Sequence, residues 1–330
     1  MNIIASKTEF SDAEHAALAA KVKALVGASL SQAEIARQAD NIPSSTLSQY
    51  LSGSYTSEPG RTEVATKLNK WLKARDAEAE LRSQLPVAPS FLPLRTSKAI
   101  TSALRYAREL GRMVQVTGVP GVSKTATARQ FAEDYPRTWY AAMNPATGGV
   151  PTMLLAILRA MGDTDSKGTP QLLMDRVCQR AREAKGLLIV DECQHLTPPS
   201  IETLRAVNDE VRIGIALLGN EAAAARVGHT GNKVEFAQVS SRIAMRRVFV
   251  APDANDVADL VREWGRLNNE ELTEREIAFC QKMASRPGGL RNIEMTMEAA
   301  ILAARGDEEP LGLEHLQGAF AQLSGLAEIR

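Results

Sequence analysis

Cysteine is scarce. Only Cys178, Cys193 and Cys280 occur in 330 residues, with no CxxC pair and no local cluster of histidine and cysteine. That spacing argues against a disulfide framework and a structural zinc, and it suits a reducing compartment. No apolar run approaches 18 residues, and Met1–Phe10 lacks the apolar stretch of a leader, so a cytoplasmic chain without a membrane partner is the expectation. Aromatics are few at 5%, while apolar residues reach 44%, enough to bury more than one core. The net charge is zero, yet it is unevenly spread. Residues 91–250 carry 21 basic and 14 acidic side chains, and residues 251–330 carry 8 and 15. A basic middle beside an acidic end is compatible with a polyanion-facing surface, with solvated helix faces, or with head-to-tail contact between copies.

Three prolines between Leu85 and Pro93 interrupt any helix and mark a boundary. Before it the pattern is helical, with Ser31 and Glu34 at capping-box spacing, a break at Asp40-Asn41-Ile42-Pro43, a helix over Ser44–Leu51 and a longer one over Glu63–Leu81. After it, helices alternate with apolar strands at Met113–Thr117, Trp139–Met143, Leu187–Val190, Ile213–Leu218 and Arg247–Ala251. Alternation of this kind implies a parallel α/β sheet. The remainder reads as a helical bundle, with Met283, Met295 and Met297 in its core. The expected divisions are a helical domain over 1–84, a linker over 85–95, an α/β domain over 96–251 and a helical lid over 252–330.

Between the first strand and its helix lies Gly118-Val119-Pro120-Gly121-Val122-Ser123-Lys124-Thr125. It follows the phosphate-loop pattern except that Ser123 stands where the second glycine is usual. Backbone N–H groups of such a loop surround phosphates, Lys124 would reach the β and γ oxygens, and Thr125 would hold Mg²⁺. The Ser123 hydroxyl is expected to cap the first helical turn. Further on, Leu187–Val190 runs into Asp191-Glu192 at the carboxyl edge of the sheet, where open α/β folds bind ligands. Asp191 would hold Mg²⁺, and Glu192 would orient and deprotonate the attacking water. Gly219-Asn220 ends another strand and brings an amide to the same edge.

With these residues in place the sequence resembles the AAA+ ATPases. Val190-Asp191-Glu192 looks like Walker B and Asn220 like sensor 1. Arg242 resembles the arginine finger that reaches a neighbour's nucleotide, with Arg246 and Arg247 as close alternatives. Arg291, after Pro287-Gly288-Gly289-Leu290, looks like the sensor 2 arginine of the lid. The order of parts, with Val234-Glu235-Phe236-Ala237 and Ser241-Arg242-Ile243-Ala244, is similar to the target-DNA activator family of phage transposition. That resemblance implies an N-terminal helix-turn-helix, in which Ala36 lies where two helices touch and Ile35, Leu47 and Leu51 form a small core. Thr46, Ser48, Gln49 and Tyr50 would lie on the exposed part of the second helix and could meet DNA. The domain is nonetheless neutral, and Asp40-Asn41 lengthens the turn, so an accessory DNA contact or a protein contact fits better than operator recognition.

The resemblance further implies ATP-dependent, largely sequence-nonspecific binding to double-stranded DNA as a helical filament of copies of itself. It also implies delivery of that DNA to a DDE-type transposase, which it stimulates. Candidate DNA contacts are Thr147 with Gly148 and Gly149, Lys167, whose charge Asp163 and Asp165 dilute, and Lys233. Two alternatives stay open: a helicase loader or replication initiator of similar architecture, and a nonhydrolysing nucleotide-gated regulator in which Ser123 marks a degenerate site.

Overall fold

The computed structural model describes residues 10–27, 30–184, 186–223 and 237–325. They fall into two compact units that divide after Leu85. In the first, α1 (Asp12–Leu25), α2 (Gln32–Gln38), α3 (Ser44–Ser52) and α4 (Glu58–Gln84) enclose one core. Capping boxes at Ser11/Glu14 and Ser31/Glu34 each satisfy two backbone N–H groups at the start of α1 and α2. Ile35, Ala36, Leu47 and Leu51 are buried, as the helix-turn-helix reading expects. The lengthened turn is made by Asp40 and Asn41, both left-handed at φ 62° and 51°, a conformation these two residue types accept more readily than most.

Two expectations here need correction. Helix α4 begins earlier and ends later than Glu63–Leu81. Its last turns carry no apolar stripe and are supported by polar pairs such as Arg82–Glu78 at 2.7 Å. Tyr50 does not face outward from α3; it is buried, and its hydroxyl lies 2.9 Å from His15 Nδ1. Burial pushes the Tyr50 phenol up to about 12. Burial also holds the His15 imidazole below its ordinary range, with the nearby Arg61 charge acting in the same sense against weaker pulls from Glu58, Asp12 and Glu14. The unfolded chain therefore takes up the proton first as pH falls, so stability present above about 6.5 is lost below it. Amide protection of α3 should drop across that interval, and His15→Gln, which keeps a partner for Tyr50, should flatten the dependence.

The second unit holds a five-stranded parallel sheet in the order β2-β3-β4-β1-β5. The strands are β1 (Met113–Gly118), β2 (Thr138–Ala142), β3 (Leu187–Asp191), β4 (Gly214–Gly219) and β5 (Ile243–Phe249). Alternate residues of the inner strands serve opposite faces. Leu187, Ile189, Ala216 and Leu218 pack under α5 (Arg95–Leu110) and α6 (Lys124–Asp134). Leu188, Val190, Ile215 and Leu217 pack under α7 (Val150–Ala160), α8 (Pro170–Ala184) and α9 (Pro198–Val211). β5 starts four residues before the expected Arg247–Ala251 and follows the short helix α10 (Ala237–Arg242) directly. It is an edge strand with exposed arginines, so it lacks the apolar run that identifies the inner strands.

The lid consists of α11 (Ala254–Asn268), α12 (Glu274–Ala284), α13 (Leu290–Gly306) and α14 (Leu313–Ser324), packed around Trp264. Met283 and Met297 belong to this core, but Met295 is exposed, because it lies off the Ile293–Met297–Ala300–Ile301–Ala304 stripe. The proline-rich segment is fastened to the lid. The Val87 N–H donates to Asn268 Oδ1 at 2.8 Å, and Asn268 Nδ2 donates to the Val87 carbonyl at 3.0 Å. The first two N–H groups of α5 meet both oxygens of Asp256, at 2.8 and 3.0 Å, and Leu94 enters the lid core.

Candidate nucleotide site

The loop from Gly118 to Thr125 leaves the carboxyl end of β1 and delivers the first turn of α6, whose N–H groups lack partners within the helix. It borders a cavity of about 520 Å³ that reaches across to the lid. Gly121, Val122, Ser123, Lys124 and Thr125 line it on one side, Glu192 and Asn220 at the sheet edge, and Arg291 from α13. Segment 88–92 closes a further wall together with Leu260 and Trp264 of α11. Gly118 stands behind the loop as the last residue of β1.

The tip of the lid rests on the loop. The Leu290 N–H donates to the Gly121 carbonyl at 2.9 Å, and a Cβ at Gly121 (φ 78°) would overlap the Gly288 carbonyl. Glycine there permits backbone-to-backbone contact that no side chain would allow. Ser123 adopts φ 63°, ψ 13°, which is the left-handed geometry that explains why glycine is usual at this position. Its hydroxyl makes no capping bond, contrary to expectation, because a residue in this conformation does not have the extended backbone of an N-cap.

Lys124 Nζ donates to the carbonyls of Gly118 and Val119, both at 2.9 Å. Burial lowers its pKa, while the negative charges of Asp191 and Glu192 pull the other way. Asp191 is buried and accepts three bonds. Thr125 Oγ1 and the Tyr140 hydroxyl donate to Oδ2 at 2.7 and 2.8 Å, and the Glu192 N–H donates to Oδ1 at 2.9 Å. Burial, then the Asp191 charge, pushes the Tyr140 phenol up to about 12, so it stays a donor. Thr125 and Asp191 thus converge as hard oxygen donors, a pair whose chemistry would suit Mg²⁺. Among the described residues no cluster of three or more His, Cys, Asp or Glu forms an all-protein metal site.

Tyr140 and Gln194 were not legible in advance. Tyr140 comes from β2, where the parallel register Ala142↔Asp191 with β3 brings it beside the carboxylate. Gln194 Nε2 donates to Glu192 Oε2, and its Oε1 accepts the Asn220 N–H at 3.3 Å. The Asn220 side chain accepts the Ala223 N–H at 3.3 Å.

Other sequence candidates lie elsewhere. Arg242 is not at the cavity; its Nε pairs with Asp209 Oδ1 of α9 at 3.1 Å, while Arg246 donates to Ser240. The Thr147 hydroxyl is used inside its own loop, accepting the Asn144 N–H at 2.8 Å. Gly148 is anchored by bonds from Thr197 N–H and Ser200 Oγ to its carbonyl. Around Lys167 the diluting acids are themselves paired, Asp163 with Arg176 and Arg180 and Asp165 with Arg176, so the exposed lysine is less shielded than its neighbours suggest. Ser48 and Gln49 are exposed on α3 and Thr46 is half-buried. Lys233 lies outside the described residues.

Comparison with known proteins agrees with this fold. A family described as an AAA domain matches residues 107–227, and one described as Mu B transposition protein, C terminal, matches 241–323. The chain is 30% identical over 278 residues to the ATP-dependent target DNA activator B of Escherichia phage Mu, covering 84% of this chain and 86% of that one. It is 28% identical over 268 residues to the Mu-like prophage FluMu DNA transposition protein B of Haemophilus influenzae, covering 81% and 90%. In fold it is similar to a Walker-type ATPase of Pyrococcus abyssi, with a TM-score of 0.51 at 13% identity over 71% of this chain and 72% of that one.

Proposed function

The chain belongs to the Mu B transposition-protein family, and on that premise we propose that it is a DNA-stimulated ATPase. It assembles on duplex DNA as a helical filament in the bacterial host cytoplasm and presents that DNA to a DDE-type transposase, which it stimulates. The observation that carries the ATPase reading is the convergence of Lys124, Thr125–Asp191, Glu192, Asn220 and Arg291 around one cavity.

In this reading Lys124 leaves the two loop carbonyls for the β and γ oxygens, and the α6 N–H groups hold the phosphates. Thr125 and Asp191 would hold Mg²⁺, which when bound would neutralise developing charge on the phosphates. Glu192 orients the attacking water and takes its proton. Asn220 contacts the γ-phosphate from the sheet edge, and Arg291 does so from the lid. DNA contact is assigned to the basic α/β domain, through Lys167, Lys233 and the loop at Thr147, with Thr46, Ser48 and Gln49 of α3 as accessory contacts. Backbone contacts of this sort make binding salt-sensitive.

Arg242 is the proposed finger. It precedes Ile243, which pairs with Met113 at the amino end of β1, whereas the phosphate loop leaves the carboxyl end. Six strand residues at about 3.3 Å each separate the two ends, more than one arginine side chain reaches, which supports a finger that would act on a neighbour's nucleotide rather than its own. Arg242→Ala should hydrolyse poorly, and mixing it with Lys124→Ala should partly restore turnover, because one variant keeps a nucleotide site and the other a finger. Electron microscopy of ATP, protein and DNA in the same samples tests the assembly. Mixtures that never exceed the sum of their parts contradict action in trans, and closed rings or dimers on a defined operator contradict the filament.

Ser123 tests whether the site is degenerate. Relief of the left-handed serine in Ser123→Gly is worth about 1 kcal/mol, partly offset by the freedom glycine adds to the unfolded chain. Turnover and nucleotide affinity should therefore change less than about threefold, since that strain is small beside the phosphate contacts. A natural chain that binds no ATP while Ser123→Gly does would favour a nonhydrolysing regulator.

A further inference from the structure

We propose that Gln194 is a positioning residue, one that holds the Glu192 carboxylate at the reacting end of the cavity and ties it to the tip of β4. The inference rests on the ATPase reading and names a part of that site which no motif supplies. Glu192 and Asn220 both line the cavity, whereas Gln194 does not line it and bridges them from outside. Its amide is fixed at both ends. The Asn220 N–H can only donate, so it must meet the amide oxygen, and the NH₂ group is thereby turned to the Glu192 carboxylate.

The surroundings are shaped for this arrangement. A Cβ at Gly219 would stand 2.8 Å from Gln194 Oε1 and 3.0 Å from Cys193 Sγ, so the glycine leaves room for the amide under β4. Glu192 itself sits at φ 55°, in a turn that places its carboxylate beyond the end of β3. A flexible exposed carboxylate with one backbone anchor samples several rotamers, and only some of them face the γ-phosphate. A donor fixed from behind narrows that choice. Misplacing a reacting group by about 1 Å can cost on the order of 10²-fold in rate. Binding of nucleotide, which depends on the loop and Lys124, does not pass through this contact.

Two near-isosteric variants separate the two ends of the amide. Gln194→Met removes the bonds to Glu192 and Asn220 and keeps the bulk. Gln194→Glu keeps an acceptor for Asn220 and sets a like charge against Glu192. Both should bind a fluorescent ATP analogue within about twofold of the natural chain and lose about 5- to 30-fold in kcat, with Gln194→Glu at least as impaired as Gln194→Met. Added to Glu192→Gln, Gln194→Glu should lower kcat no further, because it keeps the acceptor for Asn220 and otherwise acts through Glu192. Loss of nucleotide affinity in step with kcat, full turnover in Gln194→Glu, or additive losses when Gln194→Glu is combined with Glu192→Gln would overturn the proposal while leaving the ATPase reading intact. A natural chain that binds ATP and turns none over would overturn that reading, and the role of Gln194 with it.

Discussion

Lys124→Ala should bind ATP about a hundredfold more weakly and lose DNA-bound assembly with it. The ammonium is the cation that the phosphate loop itself supplies, and a charge-assisted hydrogen bond contributes about 1.5–3 kcal/mol. Its contacts with Gly118 and Val119 show the starting point of the exchange. Neutral carbonyl partners are given up for charged phosphate oxygens, so the net gain on binding is large and the loss on truncation correspondingly so. The truncated chain also leaves two carbonyls without this donor, a stability cost of about 1 kcal/mol each if they stay dry. Thermal unfolding separates that loss from the binding defect. Titration with a fluorescent nucleotide measures the first effect, and DNA affinity with and without ATP measures the second. A variant whose DNA affinity still rises on addition of ATP would break the proposed link between nucleotide and assembly.

Glu192→Gln should separate binding from turnover. The substituted amide keeps the shape of the side chain and cannot take a proton from water, so kcat should fall about 10²- to 10⁴-fold. ATP affinity should stay within about threefold, since the phosphate loop, Thr125 and Asp191 are untouched. Assemblies formed with ATP should then persist. Single-turnover hydrolysis and time-resolved electron microscopy read the two consequences, and rapid disassembly on added ATP would contradict the role given to Glu192.

Much of this architecture was legible because the signals were local. A glycine-containing loop between an apolar strand and a helix, and a carboxylate pair ending another such strand, both follow from where parallel strands terminate. What was not legible depended on partners far apart in sequence. Tyr140 meets Asp191 only once β2 and β3 pair in register, and an isolated tyrosine in a strand carries no spacing signature. Gln194 acquires its meaning from the end of β4, 26 residues away. The prolines at 86–93 marked a break in helix but not the lid residues Asn268 and Asp256 that pin the segment and its exit. Tyr50 looked like a surface reader because His15, which buries its hydroxyl, belongs to another helix.

The placement of the phosphate loop and Arg242 at opposite edges of one sheet has a directional outcome on the proposed reading. Each subunit completes its neighbour's catalysis, never its own, so the contact is head-to-tail and an open array has two unlike ends. The terminal subunit at one end holds ATP without a finger, while the one at the other end offers a finger to nobody. Hydrolysis is then slow at one tip and ordinary in the interior, so such an array keeps an ATP cap at one end and shortens preferentially from the other, giving the bound DNA a polarity that its own symmetric backbone does not possess.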